Sequence, residues 1–264
     1  MPRPAPRRIG SVNGLGCWTL CRRGLLRFWR WSWSSLGGIC VSSVLLLAVF
    51  TLAAGSQGEM VPGISVGTFV GPGVLFFAIA YTAFESGAVL ILEDKIEGTI
   101  AEVLMAPLAP LEMTAGFMLP PVVNALAAGL AVFLVTLPFT DYVFADPATT
   151  LAFAVLDALV FALAGGLVGL WADKWEHYGA AEAFLMLPLG FLSGSFFDLA
   201  SLPEPARALV QINPLFHAVN GGRSGLTGFS ESSLALGAAF LVCLAVPLAL
   251  LLWRLVFSGY KVRA

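Results

Sequence analysis

The sequence predicts an all-α membrane protein that crosses the bilayer several times. Of its 264 residues, 58% are hydrophobic and only 11% are charged, whereas soluble domains carry about 25% charged residues. Apolar runs of about 20 residues, the length that a helix needs to cross a hydrocarbon core of roughly 30 Å, recur along the chain. Each run must be helical, because hydrocarbon cannot satisfy free backbone N–H and C=O groups.

Six apolar runs, separated by charges, prolines or glycines, are predicted to span the membrane. Their approximate bounds are 37–54, 65–90, 115–137, 150–171, 181–197 and 234–257. We expect residues 17–264 to form a single transmembrane domain. Residues 1–16 are rich in Pro, Arg and Gly and offer little to bury, so they are predicted to be a disordered cytoplasmic tail.

The distribution of basic residues predicts that both termini are cytoplasmic. Of the 14 Lys and Arg residues, only Arg207 and Arg223 fall on the opposite side of the predicted spans, and cytoplasmic segments are the ones that carry excess Lys and Arg. The four cysteines lie in predicted spans or in the amino-terminal cytoplasmic segment, where thiols stay reduced. We therefore expect neither a disulfide framework nor a metal site.

A helix lying along the cytoplasmic membrane surface is predicted before the first span. In the stretch CWTLCRRGLLRFWRWSW, tryptophans and arginines separate onto two helical faces. The first face would lie among lipid headgroups and the second would meet anionic lipid. The first holds Trp18, Cys21, Leu25, Trp29 and Trp33, and the second holds Arg23, Arg27 and Arg30. An extension of the first span is the alternative interpretation.

A short cytoplasmic amphipathic helix is predicted after the second span, in EDKIEGTIAEVLMAPLAPLEM. Acidic residues gather near its start, where the helix dipole favours them, and Pro107 and Pro110 end it. Its acidic residues are Glu93, Asp94, Glu97 and Glu102, and the apolar residues at helical spacing are Ile96, Ile100, Val103 and Leu104. Such a helix suits docking into a groove on another protein. The alternative, a helix lying on the membrane, is disfavoured because anionic lipid repels its charge.

The segment LPEPARALVQINPLFHAV, before the last span, is predicted to shape an outer gate. Its prolines, Pro203, Pro205 and Pro214, forbid one continuous helix, and Asn213 marks a turn because a residue before proline is biased away from helix. Two short amphipathic helices that enter and leave the outer leaflet fit this pattern. His217 lies in the second of them.

Charged and aromatic side chains inside the second, fourth and fifth spans are candidates for a pathway through the protein, because intramembrane charges are costly and often functional. The candidates are Phe76, Phe77, Tyr81, Glu85, Asp157, Phe191, Phe196 and Phe197. The alternative is that the aromatics only pack, that Asp157 is a hydrogen-bonded carboxyl in a helix contact, and that Glu85 caps or snorkels.

The chain resembles the permease subunit of type-2 ABC exporters, in the bacterial multidrug-like and polysaccharide-export-like branch. GTIAEVLMAPLAPLEMTAGFMLPPVV and the later PLGFLSGSFFDLASLPEPARALVQINPLFHAVNGGRSGLTG carry the resemblance, which WTLCRRGLLRFWR and GLVGLWADKWEHYGAAEAF extend over nearly the whole chain from Trp18 on. Two departures stand out. Ala106 and Ala109 replace the usual serines, and His217 lies where an aromatic residue often stands.

The resemblance implies an amino-terminal elbow helix, a coupling helix that contacts an ATPase, and re-entrant exoplasmic helices before the last span. The coupling residues it implies are Glu93, Glu97, Gly98, Ile100, Glu102 and Leu104, and the gate residues are Pro203, Pro205, Asn213, Pro214 and His217. It also implies export of an amphiphilic, lipid-linked or drug-like substrate, or of a glycan, across a bacterial inner membrane. Lipid surrounds such a protein, and no nucleic-acid partner is expected.

The chain is not expected to hydrolyse ATP or to hold a cofactor itself. A phosphate-binding loop ends in Gly-Lys-Ser/Thr, whereas Lys95, Lys174 and Lys261 follow Asp, Asp and Tyr. ATP and Mg would therefore be bound by two copies of a separate ATPase. Six spans are half of the family's usual twelve-helix pathway, so we expect a second permease copy, in a homodimer or with a paralogue.

Two other classes of protein agree with part of the sequence pattern. A self-contained secondary transporter would need no ATPase, but inverted repeats with broken spans are not evident in the sequence. An intramembrane serine protease could use Ser193 and His217 as a dyad. However, the sequence around Ser193 reads Gly-x-x-Ser-Gly instead of Gly-x-Ser-Gly, and His217 falls in the proline-broken segment.

Overall fold

The computed structural model describes residues 13–55 and 58–260, which fold mainly as helices. Most of the predicted disordered tail lies outside this range. The helices are α1 Gly14–Ala54, α2 Val66–Ile96, α3 Ile100–Met105, α4 Pro110–Thr136, α5 Pro147–Trp171, α6 Trp175–Phe191, α7 Glu204–Ile212, α8 Pro214–Thr227 and α9 Leu234–Ser258. A small antiparallel hairpin pairs β1 Glu59–Val61 with β2 Ile64–Ser65. Single 3₁₀ turns follow α4 and precede α7.

Five helical segments of the described chain are long and apolar enough to cross a membrane. They are Leu36–Ala54, Val66–Ile96, Pro110–Phe139, Pro147–Trp171 and Leu234–Ser258. The prediction of a polytopic all-α membrane protein is confirmed at this level. α6, which overlaps the predicted fifth span, has 17 residues.

The helix that overlaps the predicted fifth span, 181–197, is displaced from those bounds toward the amino terminus. α6 begins earlier, at Trp175, and ends at Phe191. Beyond it the chain leaves the helical path, because Gly194 adopts a positive φ of 69° and the Ser193 hydroxyl donates to the carbonyl of Gly190. The residues after α6 therefore form an irregular segment that leads into α7.

α2 lies at the centre of the bundle and is the most buried of the five candidate spans. It contacts α5 closely because glycines remove the side chains between the two backbones. A Cβ added at Gly165 would clash with the carbonyl of Phe84, and one at Gly169 with the carbonyl of Ala88. Small residues thus let these two helices pack closely.

The amino-terminal segment and the first predicted span form one uninterrupted helix, α1. This agrees with the alternative interpretation, an extension of the first span, and the interfacial elbow stays a prediction. Trp18 and Trp29 are exposed as expected, but Cys21 of the same predicted face is buried. The side chains of Arg30 and Trp33 lie outside the described residues.

The proline-rich segment before the last span forms two helices that share Asn213 as a boundary residue. The Asn213 carboxamide oxygen accepts from the N–H of Leu215 at the start of α8, and its amide donates to the carbonyls of Leu189 and Leu192 near the end of α6. α7 exposes Leu209 and Ile212. α8 is largely buried and runs on to Thr227, beyond the predicted short turn at Leu215–Val219.

Candidate functional site

A cavity of about 550 Å³ lies between α1, α2 and the end of α6. We call it the larger cavity. Five predicted pathway residues line it, namely Phe77, Tyr81, Glu85, Phe191 and Phe196. Ser42 and Ser43 of α1 and Ser195, after α6, add hydroxyl groups to an otherwise apolar wall.

Three predicted pathway residues do not line this cavity. The ring of Phe76 is fully buried, because it fills the space left by Gly222 of α8. Phe197 packs against the small cluster of Leu199, Val210 and Phe216. Asp157 is fully buried within the described bundle, and neither of its carboxyl oxygens has a hydrogen-bond partner there.

A second cavity of about 360 Å³, the smaller cavity, lies between α1, α2, α4 and α6. Glu85 lines both cavities. The α2 residues that line them follow one helical stripe, with Val74, Ala78 and Tyr81 on one side of Glu85 and Val89 and Glu93 on the other. The two cavities therefore form a discontinuous groove along one face of α2, which we call the α2 groove.

Polar side chains from two helices meet at the middle of the α2 groove. Glu182 of α6 interacts with Glu85, Tyr81 and Tyr178. Tyr81 also packs against Phe77, with ring centroids 6.1 Å apart. Among the described residues, neither Glu85 nor Glu182 forms an ion pair with Lys, Arg or His. Glu182 lies at the start of the predicted fifth span, and no specific role was predicted for it or for Tyr178.

At the α3 end of the bundle, Arg27 of α1 binds three carboxylates near the end of α2. Its guanidinium lies 2.6 Å from Glu93, 2.8 Å from Asp94 and 2.8 Å from Glu97. Arg23 also pairs with Asp94, which is fully buried. The prediction that these two arginines point toward anionic lipid is therefore wrong, because both are paired with acidic side chains near the end of α2 instead.

The predicted helix starting at Glu93 is in fact divided between two elements. α2 continues through Ile96, the chain turns at Gly98 with a φ of 74°, and α3 follows. The Thr99 hydroxyl donates to Asp94, 3.1 Å away, and so ties the turn to α2. α2 and α3 are separate helices because the chain turns at Gly98, and glycine adopts that φ without strain.

The predicted coupling residues take up different positions around this turn. Ile100 and Val103 face inward and are buried, whereas Glu102 is exposed and Glu97 is half exposed. The side chain of Leu104 lies outside the described residues. Glu112, in the first turn of α4, accepts the backbone N–H groups of Ala109 and Asn13, so it ties the start of α1 to the start of α4.

Arg223 of α8, at the α7 end of the bundle, is a buried residue that the sequence analysis counted only as an orienting charge. Its guanidinium donates to Glu231, to the carbonyl of Gly194 at 2.7 Å and to that of Phe69 at 3.3 Å, and it lies over the Phe69 ring. Glu231 also accepts the N–H of Leu199. Arg223 thus joins α2, α8 and the segments that flank them.

The predicted gate residues define α7 and α8. Pro203 precedes α7, Pro205 lies in its first turn, and Pro214 is the first residue of α8. His217 Nε2 lies 2.8 Å from the carbonyl of Gln211, and its ring packs against Phe240 of α9.

The two residues of the serine-protease alternative do not form a dyad. Ser193 donates to the carbonyl of Gly190 and lies 2.6 Å from the Ser195 hydroxyl. His217, as described above, bonds to Gln211 instead. Each side chain is therefore engaged elsewhere, and this alternative is not supported.

The architecture is that of a helical permease that crosses the membrane several times, with a groove along its central helix and a short helix at one end of the bundle. The sequence model of the ABC-2 type transporter family matches residues 16–227. The chain belongs to this family and is a transmembrane subunit of an ABC transporter. The resemblance stated from its motifs is confirmed.

Relatives of known name cover most of the chain. It is 28% identical over 227 residues to the inner membrane transport permease YadH of Escherichia coli K12. These residues are 85% of this chain and 88% of the relative. It is 27% identical over 244 residues to nodulation protein J of Rhizobium meliloti, covering 89% of this chain and 90% of the relative. Nodulation protein J of Rhizobium leguminosarum bv. viciae is 24% identical over 223 residues, which are 83% of this chain and 84% of the relative.

Proposed function

We propose that this chain is the permease subunit of an ATP-driven exporter and that its substrate moves along the α2 groove. The observation that carries the proposal is the stripe of α2 residues that lines two cavities in a member of the ABC-2 type transporter family. The largely apolar and aromatic lining suits an amphiphilic, lipid-linked or drug-like substrate. A glycan could stack on the same aromatic rings.

The proposed location is a bacterial inner membrane, with both termini cytoplasmic. The name of the Escherichia coli relative supports the inner membrane, and the positive-inside rule supports the orientation. α3 is then cytoplasmic, and α7 and α8 are exoplasmic and act as a re-entrant gate. In this arrangement α6 is a sixth, shorter span that continues into the irregular segment after Phe191.

The energy source is a separate ATPase, present in two copies, that binds ATP and Mg and contacts α3. The exposed carboxylates of Glu97 and Glu102 would face it. Movement of α3 would reach α2 directly through the turn at Gly98 and would reach α1 through the ion pairs of Arg27. This is a two-state element that nucleotide binding would bias.

A second permease copy, most simply another copy of this chain, would close the α2 groove. The larger cavity lies between helices whose apolar side chains are widely exposed, including Phe184 and Phe191 of α6 and Leu45 and Val49 of α1. Exposed apolar surface in a membrane protein is covered by lipid or by another helix. Two copies would together supply the twelve helices of the family's usual pathway.

The test is copurification. The chain would be co-expressed with the ATPase encoded beside it and purified through a tag on the permease alone. We expect the ATPase to copurify in equal amount and to hydrolyse ATP faster than the isolated ATPase does. Failure to associate under mild detergent conditions would contradict the proposal and favour a self-contained secondary transporter.

A further inference from the structure

The larger cavity is built like a binding site for one charged group on an otherwise apolar molecule. Its volume of about 550 Å³ falls within the range of ligand sites, roughly 300–1,000 Å³. Phe77, Phe191 and Phe196 contribute aromatic surface. Glu85 is the one charged side chain of the described residues that lines this cavity.

The carboxylate of Glu85 has no cationic partner within the described residues. The ionisable groups that interact with Glu85 are Glu182, Tyr81 and Tyr178, none of which can supply a positive charge. Glu85 is half-buried in a predicted membrane span, and a charge there is normally paired because it loses hydration without compensation. In contrast, the carboxylates of Glu93, Asp94 and Glu97, further along α2, are all paired with Arg27.

The groups around Glu85 favour a cation over an anion or a neutral group. Glu182 adds a second source of negative potential, and like charges at such a site repel unless a proton or a cation lies between them. Tyr81 and Phe77 lie one and two helical turns from Glu85 on the same stripe of α2. Their ring faces can attract a cation that has lost its water.

From these relationships we infer that the larger cavity binds the positively charged group of a cationic amphiphile, such as an organic ammonium or phosphonium ion, through the carboxylate of Glu85. This inference rests on the proposed function and narrows its substrate class. The apolar part of the substrate would contact Phe191, Phe196 and Leu46. The smaller cavity shares Glu85 and lies toward the α3 end of the bundle.

The test compares two ions of the same shape and opposite charge, tetraphenylphosphonium and tetraphenylborate. Equilibrium binding of each would be measured to the full chain in lipid nanodiscs, with binding to empty nanodiscs subtracted. We expect the cation to bind at least about tenfold more tightly than the anion. Glu85→Gln should remove most of the preference for the cation by weakening cation binding. Glu85→Asp, which keeps the charge, should retain part of that preference.

Glu176→Gln is the matched control, because it makes the same change in an exposed residue of α6 away from both cavities. It should bind both ions as the original chain does. Equal binding of the two ions, or unchanged cation binding in a Glu85→Gln protein that still binds the anion, would overturn the inference. If Glu85→Gln failed to fold, cation binding would be tested in Tyr81→Leu and Phe77→Leu, which remove the ring faces, and an unchanged preference for the cation over the anion would overturn it.

The measurement needs no ATPase, so its result is separate from the test of the proposed function. A permease that binds its ATPase but does not prefer the cation would remain an ABC exporter subunit of another substrate class. A permease that prefers the cation through Glu85 but binds no ATPase would keep the ligand assignment and lose the proposed function.

Discussion

Arg27 of α1 and Glu97 at the end of α2 lie 2.8 Å apart, so a side chain near the start of the protein is bound to the turn that leads into α3. The same guanidinium also binds Glu93 and Asp94. α1, α2 and α3 are thereby joined at one point. A displacement of α3 would therefore be transmitted to α1 and α2.

Asp94→Asn should destabilise the protein clearly. Asp94 is fully buried and pairs with both Arg23 and Arg27, and breaking a buried pair costs about 3–5 kcal/mol. We expect a loss of about 2 kcal/mol, since Arg27 keeps two other carboxylates. Thermal unfolding in detergent would show a lower Tm. Glu97→Gln is the control, because a half-exposed pair contributes only about 0–1 kcal/mol. If Glu97→Gln lowered the Tm as much as Asp94→Asn does, the burial of the Asp94 ion pairs would not be what makes them stabilising.

Removing the charges of Glu97 and Glu102 together should abolish most stimulation of the partner ATPase while the protein stays in the membrane. Both carboxylates are at least half exposed at the α3 end, where the ATPase is proposed to bind. ATP hydrolysis by the purified complex is the measurement. The matched control removes two exposed charges at the other end, with Glu59→Gln and Asp141→Asn. Normal stimulation in the Glu97 and Glu102 variant would rule out their coupling role.

Gly165→Ala should weaken the packing of α5 on α2. The added methyl group would meet the backbone carbonyl of Phe84, which cannot move without shifting α2. Overpacking of this kind costs about 1–3 kcal/mol, and the Tm should fall accordingly. Gly179→Ala, on α6, places the same methyl group in open space and should leave the Tm unchanged or slightly raised. A tolerated Gly165→Ala would show that the two helices are not in close contact.

His217 should make the protein less stable in acid. Burial lowers the pKa of His217 below its ordinary value of 6.5. Its neutral form is therefore favoured in the folded state. The stabilisation is fully present above about pH 6.5 and is lost as the pH falls through the lower pKa of the folded state. Thermal unfolding between about pH 7 and 5 would measure the loss, which follows the titration range of histidine.

His217→Phe is the companion variant for this pH series. A phenyl ring can keep the contact with Phe240 of α9 but cannot take up a proton. It also loses the bond to the carbonyl of Gln211, so its Tm at neutral pH should be somewhat lower. Its Tm should change less between neutral and acidic pH than that of the original chain. An unchanged pH dependence would assign the effect to another group.

The sequence predicted those features that depend on local pattern. Long apolar runs identified the spans, Asn213 and Pro214 identified the division between α7 and α8, and the α2 groove contains most of the aromatic residues proposed for it. These signals are readable because they are carried by neighbouring residues or by one helical face.

The sequence did not predict features that depend on contacts between distant segments. The excess of arginines in α1 suggested lipid, because nothing local shows that Asp94, 67 residues after Arg27, lies beside them. α2 runs to Ile96, beyond the predicted end of the second span, and Lys95 near its end donates to the carbonyls of Leu170 and Ala172 at the end of α5. The burial of Arg223 likewise follows from acceptors on Phe69 and Gly194.

The side chain of Asn213 has a consequence for how α6, α7 and α8 can move. The side-chain amide of Asn213 donates to the carbonyls of Leu189 and Leu192 near the end of α6, and its oxygen accepts the N–H of Leu215 in α8. The backbone N–H of the same residue donates to the carbonyl of Val210 at the end of α7. Three helix ends thus depend on a single residue. A displacement of α6 would carry α7 and α8 with it, so the three helices would move as one rigid unit.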